Sequence, residues 1–332
     1  MNIVTRIRFC FAAILLSCAS LVHAGDKPAS YHPLLGKIWD MNSRSFIDEA
    51  ALLARTNTAD VLLLGEVHDN PAHHVLQQKL LKARIASGSR PALMMEQLNA
   101  ENQPALDLAL SGSDRGEVQK RVNALVRFSN AQDYRALLDI AVDNRLPVIA
   151  ANISNQQLQP VIWGGYAALD AGELKRLAVE QVWNERRQAY LATHMGGAHC
   201  GQLRDELRAG LSRSQRLKDA MMVDSAVASI SRGVVGIVGS SHARRDIGLP
   251  LYFAARDPDA RILSVAFVET SPGNTDPAAY ADSATGEAPF NVLWFTPGVE
   301  RADPCAGFNM PKMPAPTAGV PEVEPPGAAG KQ

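Results

Sequence analysis

The stretch of residues 62–81, LLLGEVHDNPAHHVLQQKLL, decides the fold of this chain. Its apolar start belongs to a strand-length run at residues 60–64, which ends in a polar turn. After this turn, Asn70 can cap a helix and Pro71 suits a helical first turn. The side chains that recur at helical spacing are those of Val75, Leu76, Leu80 and Ala83. A strand followed by an amphipathic helix predicts the first unit of a parallel α/β sheet.

Apolar runs of the same kind recur at residues 92–95 (ALMM), 147–151 (PVIAA) and 234–238 (VVGIV), and later strands are predicted at 262–268 and 291–295. Such near-continuous apolar runs are typical of strands that are buried on both faces of a sheet. Helical patterns are predicted at residues 103–110, 132–144, 171–194 and 201–232. The predicted fold class is therefore α/β, with a mostly parallel β-sheet flanked by helices in a single domain.

The folded part of the chain is predicted to cover residues 31–309. It opens with a small hairpin at residues 37–46 and a helix at 47–55. The last segment, residues 310–332, is rich in Pro, Ala, Gly and Glu and lacks apolar periodicity. We expect this tail to be disordered, because it cannot bury enough apolar surface to offset the entropy of ordering.

The N-terminus has the pattern of an export signal, because Arg6 and Arg8 precede an apolar run at residues 9–16 that is too short to span a bilayer. Two cleavage patterns are present. Small residues favour cleavage after Ala24, which defines a signal peptide of residues 1–24, while Leu-Leu-Ser-Cys resembles a bacterial lipobox with Cys18 as the lipidated residue. Both patterns predict an exported protein, either periplasmic or anchored to the outer membrane as a lipoprotein.

Composition excludes one class of partner. The 33 Lys and Arg residues are balanced by 34 Asp and Glu residues, so no basic excess is available to neutralise phosphates, and nucleic acid is excluded as a partner. Two of the four cysteines, Cys200 and Cys305, lie in the folded part. An exported protein permits a disulfide between them, but two free thiols are equally compatible with the sequence.

Polar residues follow each of the first four predicted strands, where a parallel sheet binds its ligands. Glu66 and His68 follow the first strand, Glu96 follows the second and His242 follows the fourth, and each histidine closes a Gly-x-x-His sequence. Alone, such a histidine is an ordinary loop residue and such a glutamate is a helix cap. Together, two imidazoles and two carboxylates predict a joint functional site, suited to a divalent metal or to acid–base chemistry. We refer to Glu66, His68, Glu96 and His242 as the quartet.

Five segments resemble a known family in their order and spacing: LLLGEVHDNPAHHVLQQKLL, ALMMEQLNAENQPALD, PVIAANIS, SQRLKDAMM and GIVGSSHARRDIGLP. They are similar to the ChaN family of iron-regulated, haem-binding lipoproteins, which groups with the Tiki, TraB and erythromycin-esterase-like proteins. The resemblance covers most of residues 36–270. It implies that residues 31–309 form a haem-binding domain in an exported protein of a Gram-negative bacterium.

The resemblance also carries functional residues onto this chain. It assigns the quartet to the site and suggests that Gln215 and Asp219, four apart on one helical face, point toward it. Their alternative is a solvated helix face. The implied role is an accessory protein of haem and iron uptake that binds haem (iron protoporphyrin IX). Its expected partner is the haem-uptake machinery at the outer membrane, and a homodimer is left open.

Several residues are candidates for contacts with haem. Haem iron binds His, Met, Cys or Tyr, and a tyrosinate favours ferric iron. The resemblance makes Tyr134 the first choice, because ChaN-like sequences tend to have a tyrosine in the stretch NAQDYRALLDIA, and Tyr166 and Tyr190 are weaker candidates. The alternative for Tyr134 is packing of its ring at a helix start. The propionates could be bound by Arg244 and Arg245.

The segment HMGGAHC at residues 194–200 could form a metal or haem lid, or a glycine-rich turn with Cys200 in a disulfide. On the first crossover helix, which follows Asn70, His73 and His74 are about 100° apart, so at most one of them faces the site.

Two functions from different classes follow. The preferred one is a haem-binding protein in which the quartet is a scaffold or a hydrogen-bond network. The alternative is a metal-dependent hydrolase of the Tiki or erythromycin-esterase type, in which His68, His242 and a glutamate hold a divalent metal that activates water. Whether the protein is an enzyme is therefore left open.

Overall fold

The computed structural model describes residues 32–126, 131–198, 200–303 and 305–306. The proposed signal peptide, Cys18 and the tail at residues 310–332 lie outside the described residues. Among the described residues, no helix has both the length and the apolar character needed to cross a membrane.

The strand–turn–helix unit predicted from residues 62–81 is present. Strand β3 (Val61–Glu66) is buried along its whole length, and helix α2 (Pro71–Ala86) follows a four-residue turn. The Asn70 side chain caps this helix by accepting a hydrogen bond of 2.9 Å from the Ala72 amide. The capping prediction is therefore confirmed, and the cap fixes the short loop that carries His68.

Eight strands form one sheet, and six of them are parallel, as predicted for the fold class. The spatial order is β2-β1-β8-β7-β3-β6-β4-β5, and the antiparallel hairpin of β1 and β2 extends one edge. Besides β3, the strands are β1 (Ile38–Asp40), β2 (Ser45–Ile47), β4 (Ala92–Asn99), β5 (Val148–Asn152), β6 (Val234–Gly239), β7 (Ile262–Glu269) and β8 (Val292–Thr296).

Helices cover both faces of the sheet, and neighbouring side chains of one strand point to opposite faces. Leu63 and Met94 contribute to one apolar core, while Leu62 and Leu93 contribute to the other. The helices besides α2 are α1 (Glu49–Thr58), α3 (Gln103–Leu110), α4 (Arg115–Leu125), α5 (Ala131–Asp143), α6 (Asn155–Gly164), α7 (Ala171–Leu177), α8 (Glu185–Ala198), α9 (Asp205–Ala226), α10 (Ser240–Ala243) and α11 (Leu249–Arg256). This double burial explains why the strand sequences are apolar throughout.

The helix predicted at residues 171–194 is interrupted. Its first part, α7, ends at Leu177, and Ala178 then adopts a left-handed conformation with φ of 56° before α8 begins at Glu185. The long helix predicted at residues 201–232 is α9, with a 3₁₀ turn at its end. The sequence-based prediction joined two helices because the apolar spacing continues across a break that the left-handed residue imposes.

The two cysteines of the folded part form a disulfide. The sulfur atoms of Cys200 and Cys305 are 2.00 Å apart, and the residues are separated by 105 positions. The bond joins the turn between α8 and α9 to the segment that follows β8. It answers the pairing question that the sequence left open and gives the C-terminal segment a covalent anchor.

Candidate functional site

The quartet lies where three neighbouring strands end. β6 lies between β3 and β4, and the register pairs Glu66 at the end of β3 with Gly239 at the end of β6. Glu96 lies near the end of β4, at an irregularity in its pairing with β5, and His242 lies on the short helix α10 directly after β6. The strand ends therefore bring all four side chains to one edge of the sheet.

A close approach places α10 against β3. A Cβ atom added to Gly65 would lie only 2.8 Å from the Cβ of Ala243, so a larger residue at this position would push α10 away. Because Ala243 directly follows His242, this contact fixes the distance between the His242 backbone and the end of β3.

Glu66 is the centre of a buried hydrogen-bond cluster. Its Oε1 atom accepts hydrogen bonds from the Tyr134 hydroxyl at 2.5 Å and from Gln97 at 3.0 Å. Its Oε2 atom accepts a hydrogen bond of 2.6 Å from Gln77 on α2. Since the Glu66 side chain has no solvent exposure, these donors replace the water that an ionised carboxylate needs.

Two histidines complete the surroundings of Glu66. The Nδ1 atom of His68 lies 2.8 Å from Oε1, and the Nε2 atom of His74 lies 3.3 Å from Oε2. Burial by itself raises the pKa of Glu66, but the interactions with His68, His74 and Tyr134 outweigh it and lower the pKa to about 2. Glu66 is therefore a carboxylate throughout the physiological pH range.

His242 is the centre of a second cluster, which joins α9 to the strand ends. Its Nδ1 atom lies 2.5 Å from Oδ1 of Asp219, and its Nε2 atom lies 3.2 Å from Oε1 of Glu96. Gln215 also reaches the ring, with its amide nitrogen 3.1 Å from Nδ1. The structure thus places Gln215 and Asp219 at the site rather than on a solvated helix face.

The charges in this second cluster support each other. Burial disfavours a charged His242, but the carboxylates of Glu96 and Asp219 outweigh it and raise its pKa to about 10. Burial alone would raise the pKa of Glu96, yet His242 and the Gly239 amide lower it to about 2. Burial raises the pKa of Asp219 to about 6. At neutral pH the cluster is a protonated imidazole between two carboxylates.

His68 is the exposed member of the quartet. Its side chain is 50% exposed, whereas those of Glu66, Glu96 and His242 are at most 11% exposed. The Nε2 atom of His68 lies 4.0 Å from Oε1 of Glu96, so its ring stands between the two clusters. The Glu66 hydrogen bond raises the pKa of His68 above its ordinary value.

Gly239, which has no side chain, leaves space beside the His68 ring. A Cβ atom on Gly239 would lie 3.1 Å from Nε2 of His68 and 3.5 Å from a carboxylate oxygen of Glu96. The Gly239 amide also donates a hydrogen bond of 2.7 Å to Glu96. The close approach of the β6 backbone to both side chains gives the second Gly-x-x-His sequence a physical reason.

Tyr134 lies inside the protein and not at a surface. Its ring is fully buried in the core on the α5 side of the sheet, and its hydroxyl donates to Glu66. Burial, followed by the neighbouring Glu66 charge, raises the pKa of Tyr134 far above its ordinary value. In this arrangement the phenol is neutral and acts as a hydrogen-bond donor to the quartet. Its assignment as an iron ligand stays a prediction.

Three other haem candidates, Arg244, Tyr190 and the segment 194–200, lie on or beside α8. Arg244 is buried and its guanidinium donates two hydrogen bonds, of 2.9 and 2.8 Å, to Asp246. The guanidinium lies over the Tyr190 ring, with its Cζ atom 4.8 Å from the ring centroid, and this ring stacks on His194 with centroids 6.1 Å apart. The segment 194–200 forms the end of α8 and a turn that carries the disulfide at Cys200, while residue 199 lies outside the described residues.

The structure also describes the surroundings of His73, His74 and Tyr166. His73 and His74 are both buried, and only His74 contacts Glu66. Nδ1 of His73 instead accepts a hydrogen bond from the Val67 amide, and its Nε2 atom is hydrogen-bonded to the Thr296 hydroxyl. The Tyr166 hydroxyl donates to the carbonyl of Arg213.

Within the described ranges, no group of three or more His, Cys, Asp or Glu side chains has the geometry of a metal site. The reason is visible in the contacts of the quartet, because each His242 nitrogen faces a carboxylate and Nδ1 of His68 faces Glu66. The Nε2 atoms of His68 and His242 both face Oε1 of Glu96, at 4.0 and 3.2 Å. The arrangement is that of a charge and hydrogen-bond network.

Comparison with known proteins places the chain among relatives. A family model described as haem-binding uptake, Tiki superfamily, ChaN matches residues 52–253, which include the whole quartet. The structure of ChaN from Campylobacter jejuni, described as showing cofacial haem binding, is 20% identical and has a TM-score of 0.61. The match covers 77% of this chain and 95% of that chain, and it supports the fold.

One solved structure with a weaker likeness is also found. An erythromycin esterase mutant in its open conformation is 11% identical with a TM-score of 0.42, and the match covers 75% of this chain and 93% of that chain. No curated protein matches the chain.

Proposed function

Because this chain belongs to the ChaN family of haem-binding uptake proteins in the Tiki superfamily, we propose that it binds haem at the strand ends beside His68. The observation that carries the proposal is the family match over residues 52–253, since this range contains every member of the quartet. The proposed cargo is ferric haem, and the proposed role is in haem and iron uptake. A fold alone would not support this, because related folds host unrelated activities.

The exposed part of the site suits ferric haem. His68 presents a half-exposed imidazole, which is a ligand type that haem iron accepts. Behind it lie three carboxylates, those of Glu66, Glu96 and Asp219, and two further imidazoles, those of His74 and His242.

The quartet serves this proposal as a support for His68. Glu66 accepts a hydrogen bond from Nδ1 of His68, which fixes the ring orientation and leaves the Nε2 side turned toward the exposed edge and Glu96. Metal-binding histidines in proteins are commonly held by a carboxylate in this way. The self-paired arrangement of His242, Glu96 and Asp219 gives no support to the hydrolase alternative, in which His68 and His242 share a divalent metal.

Tyr134 remains the predicted oxygen ligand of the iron. Ligation by its phenolate requires loss of a proton, which the ionised Glu66 at 2.5 Å opposes. A neutral Tyr134 influences the haem in another way, because its hydroxyl and Nδ1 of His68 share the same Glu66 oxygen. Arg244 as a propionate partner also remains a prediction, since its guanidinium already pairs with Asp246.

Export and assembly are part of the proposal and rest on sequence patterns. Arg6, Arg8 and the apolar run at residues 9–16 support export to the periplasm. Anchoring to the outer membrane would use Cys18, and contact with haem-uptake machinery and a homodimer stay predictions. The Cys200–Cys305 disulfide is compatible with an oxidising compartment.

The proposal predicts that His68→Ala weakens binding of ferric haem by about 10-fold or more and shifts the Soret band, because the exposed imidazole contact is lost. Tyr134→Phe should also change the visible spectrum, either through loss of an oxygen ligand or through the shared Glu66 hydrogen bond. Both are measured by titrating purified protein with ferric haem and recording absorbance.

The matched control is His32→Ala, which removes another partly buried imidazole whose Nδ1 only accepts a hydrogen bond from the Leu34 amide. This control should keep the affinity and the spectrum. Unchanged affinity in His68→Ala would show that haem binds elsewhere, with the Tyr190–His194 stack as the next place to test.

A further inference from the structure

The segment that follows β8 returns to the loop that carries His68. In this segment, Arg301 donates two hydrogen bonds to Asp69, of 2.7 and 2.6 Å, and Asp69 directly follows His68 in the chain. The same guanidinium donates two more, both of 2.7 Å, to Glu269 at the end of β7. One arginine thus joins the β3–α2 loop to the end of a neighbouring strand through two bidentate contacts.

Asn70 closes this arrangement from the other side. Its amide nitrogen donates to Glu269 at 2.6 Å and to the carbonyl of Pro297 at 2.9 Å, while its oxygen caps α2. The two residues after His68 are therefore both held by β7 and the C-terminal segment. A histidine in a loop fixed in this way loses much of its freedom to turn away from Glu66.

The charges of this arrangement lie near the surface. The side chains of Arg301, Asp69 and Glu269 are 32%, 57% and 20% exposed, and ion pairs of this kind contribute little to global stability. A planar guanidinium held by two carboxylates does fix an orientation, because its donors point in set directions. The Cys305 disulfide to Cys200 further ties the end of this segment to the fold.

We propose that Arg301 is a positioning residue for the haem contact of His68, and that it acts through Asp69. The proposal rests on the proposed function, because it assumes that His68 contacts haem. Arg301 and Glu269 lie beyond residues 52–253, the range that the family model matches. The C-terminal part of this chain therefore completes a site whose quartet lies within that range.

The experiment compares haem binding and stability in variants of Arg301, of its partner Asp69 and of a control residue, Arg261. Arg301→Ala should weaken ferric haem binding by about 10-fold and shift the Soret band, as loss of a residue that orients a ligand typically does. Arg301→Lys should bind haem more tightly than Arg301→Ala and more weakly than the wild type. Lysine keeps the positive charge but loses the planar guanidinium that binds both oxygens of a carboxylate.

The control is Arg261→Ala. Arg261 pairs with Asp60 through two hydrogen bonds of 2.9 and 2.8 Å at the opposite end of β3, so it is the same type of contact away from the site. Its removal should leave affinity and spectrum unchanged. The midpoints of chemical unfolding of both alanine variants should shift by similar small amounts.

Asp69→Asn tests whether Arg301 affects haem binding through Asp69. If Arg301 acts through Asp69, the double variant Arg301→Ala/Asp69→Asn should bind haem no more weakly than Arg301→Ala alone. Equal affinity and spectrum in wild type and Arg301→Ala would overturn the proposal, and so would an equal loss in Arg261→Ala. A wild-type protein that binds no haem would instead contradict the proposed function, so the two failures are distinguishable.

Discussion

Glu66→Ala is expected to lower the free energy of unfolding by about 3–5 kcal/mol, the typical cost of removing one partner of a buried charged network. The substitution leaves the buried donors of Gln77 and Tyr134 without their shared acceptor and removes the hydrogen bond that orients His68. It also leaves a cavity at the end of β3. Urea denaturation followed by circular dichroism measures the change.

The control for this prediction is Glu117→Ala on α4. The Glu117 side chain is 61% exposed and pairs only with Lys120 one turn later, so the unfolding free energy should change by no more than about 0.5 kcal/mol. A loss below about 1 kcal/mol for Glu66→Ala would mean that the Glu66 cluster is not an integral part of the folded state.

Raising the pH from 6.5 to 10 is expected to destabilise the protein through His242, by on the order of 3 kcal/mol. The pKa of His242 is raised from 6.5 to about 10 in the folded state, because Glu96 and Asp219 outweigh the effect of burial. A raised pKa means that its stabilisation is complete below pH 6.5 and is lost as the pH rises through 10. The measurement is the unfolding free energy at several pH values.

The variant Asp219→Asn tests the cause of this pH dependence. Loss of the Asp219 charge should lower the pKa of His242, so the loss of stability should be complete at a lower pH. The two neighbouring carboxylates affect the unfolding free energy at lower pH. The lowered pKa of Glu96 has its effect between pH 4.5 and about 2, and the raised pKa of Asp219 has its effect between pH 3.8 and about 6. Equal pH profiles in wild type and Asp219→Asn would contradict the account.

Much of the fold could be predicted because the strands are buried on both faces. The four runs that ended at residues 64, 95, 151 and 238 correspond to β3, β4, β5 and β6, with ends displaced by one to four residues. The convergence of Glu66, His68, Glu96 and His242 followed from the rule that ligand-binding residues gather at the carboxyl ends of parallel strands.

The remaining features depend on contacts that have no local signal in the sequence. The pairing of Arg301 with Asp69 joins residues 232 positions apart, and Gln77 and Gln97 reach Glu66 only because α2 and β4 meet there. Gln215 and Asp219 entered through the family resemblance. The burial of Tyr134 could not be seen either, because a tyrosine at a helix start packs inward or outward according to its tertiary neighbours.

The central proposal is that ferric haem binds at the strand ends beside His68. The most direct test is to treat the wild-type protein with a chelator, remove the chelator, and titrate the protein with ferric haem while recording the Soret band. Our account predicts a saturable shift that is unchanged by prior chelation, and no ester or peptide hydrolysis. The contradicting result is an absent Soret shift together with hydrolysis that a divalent metal restores and that His68→Ala abolishes.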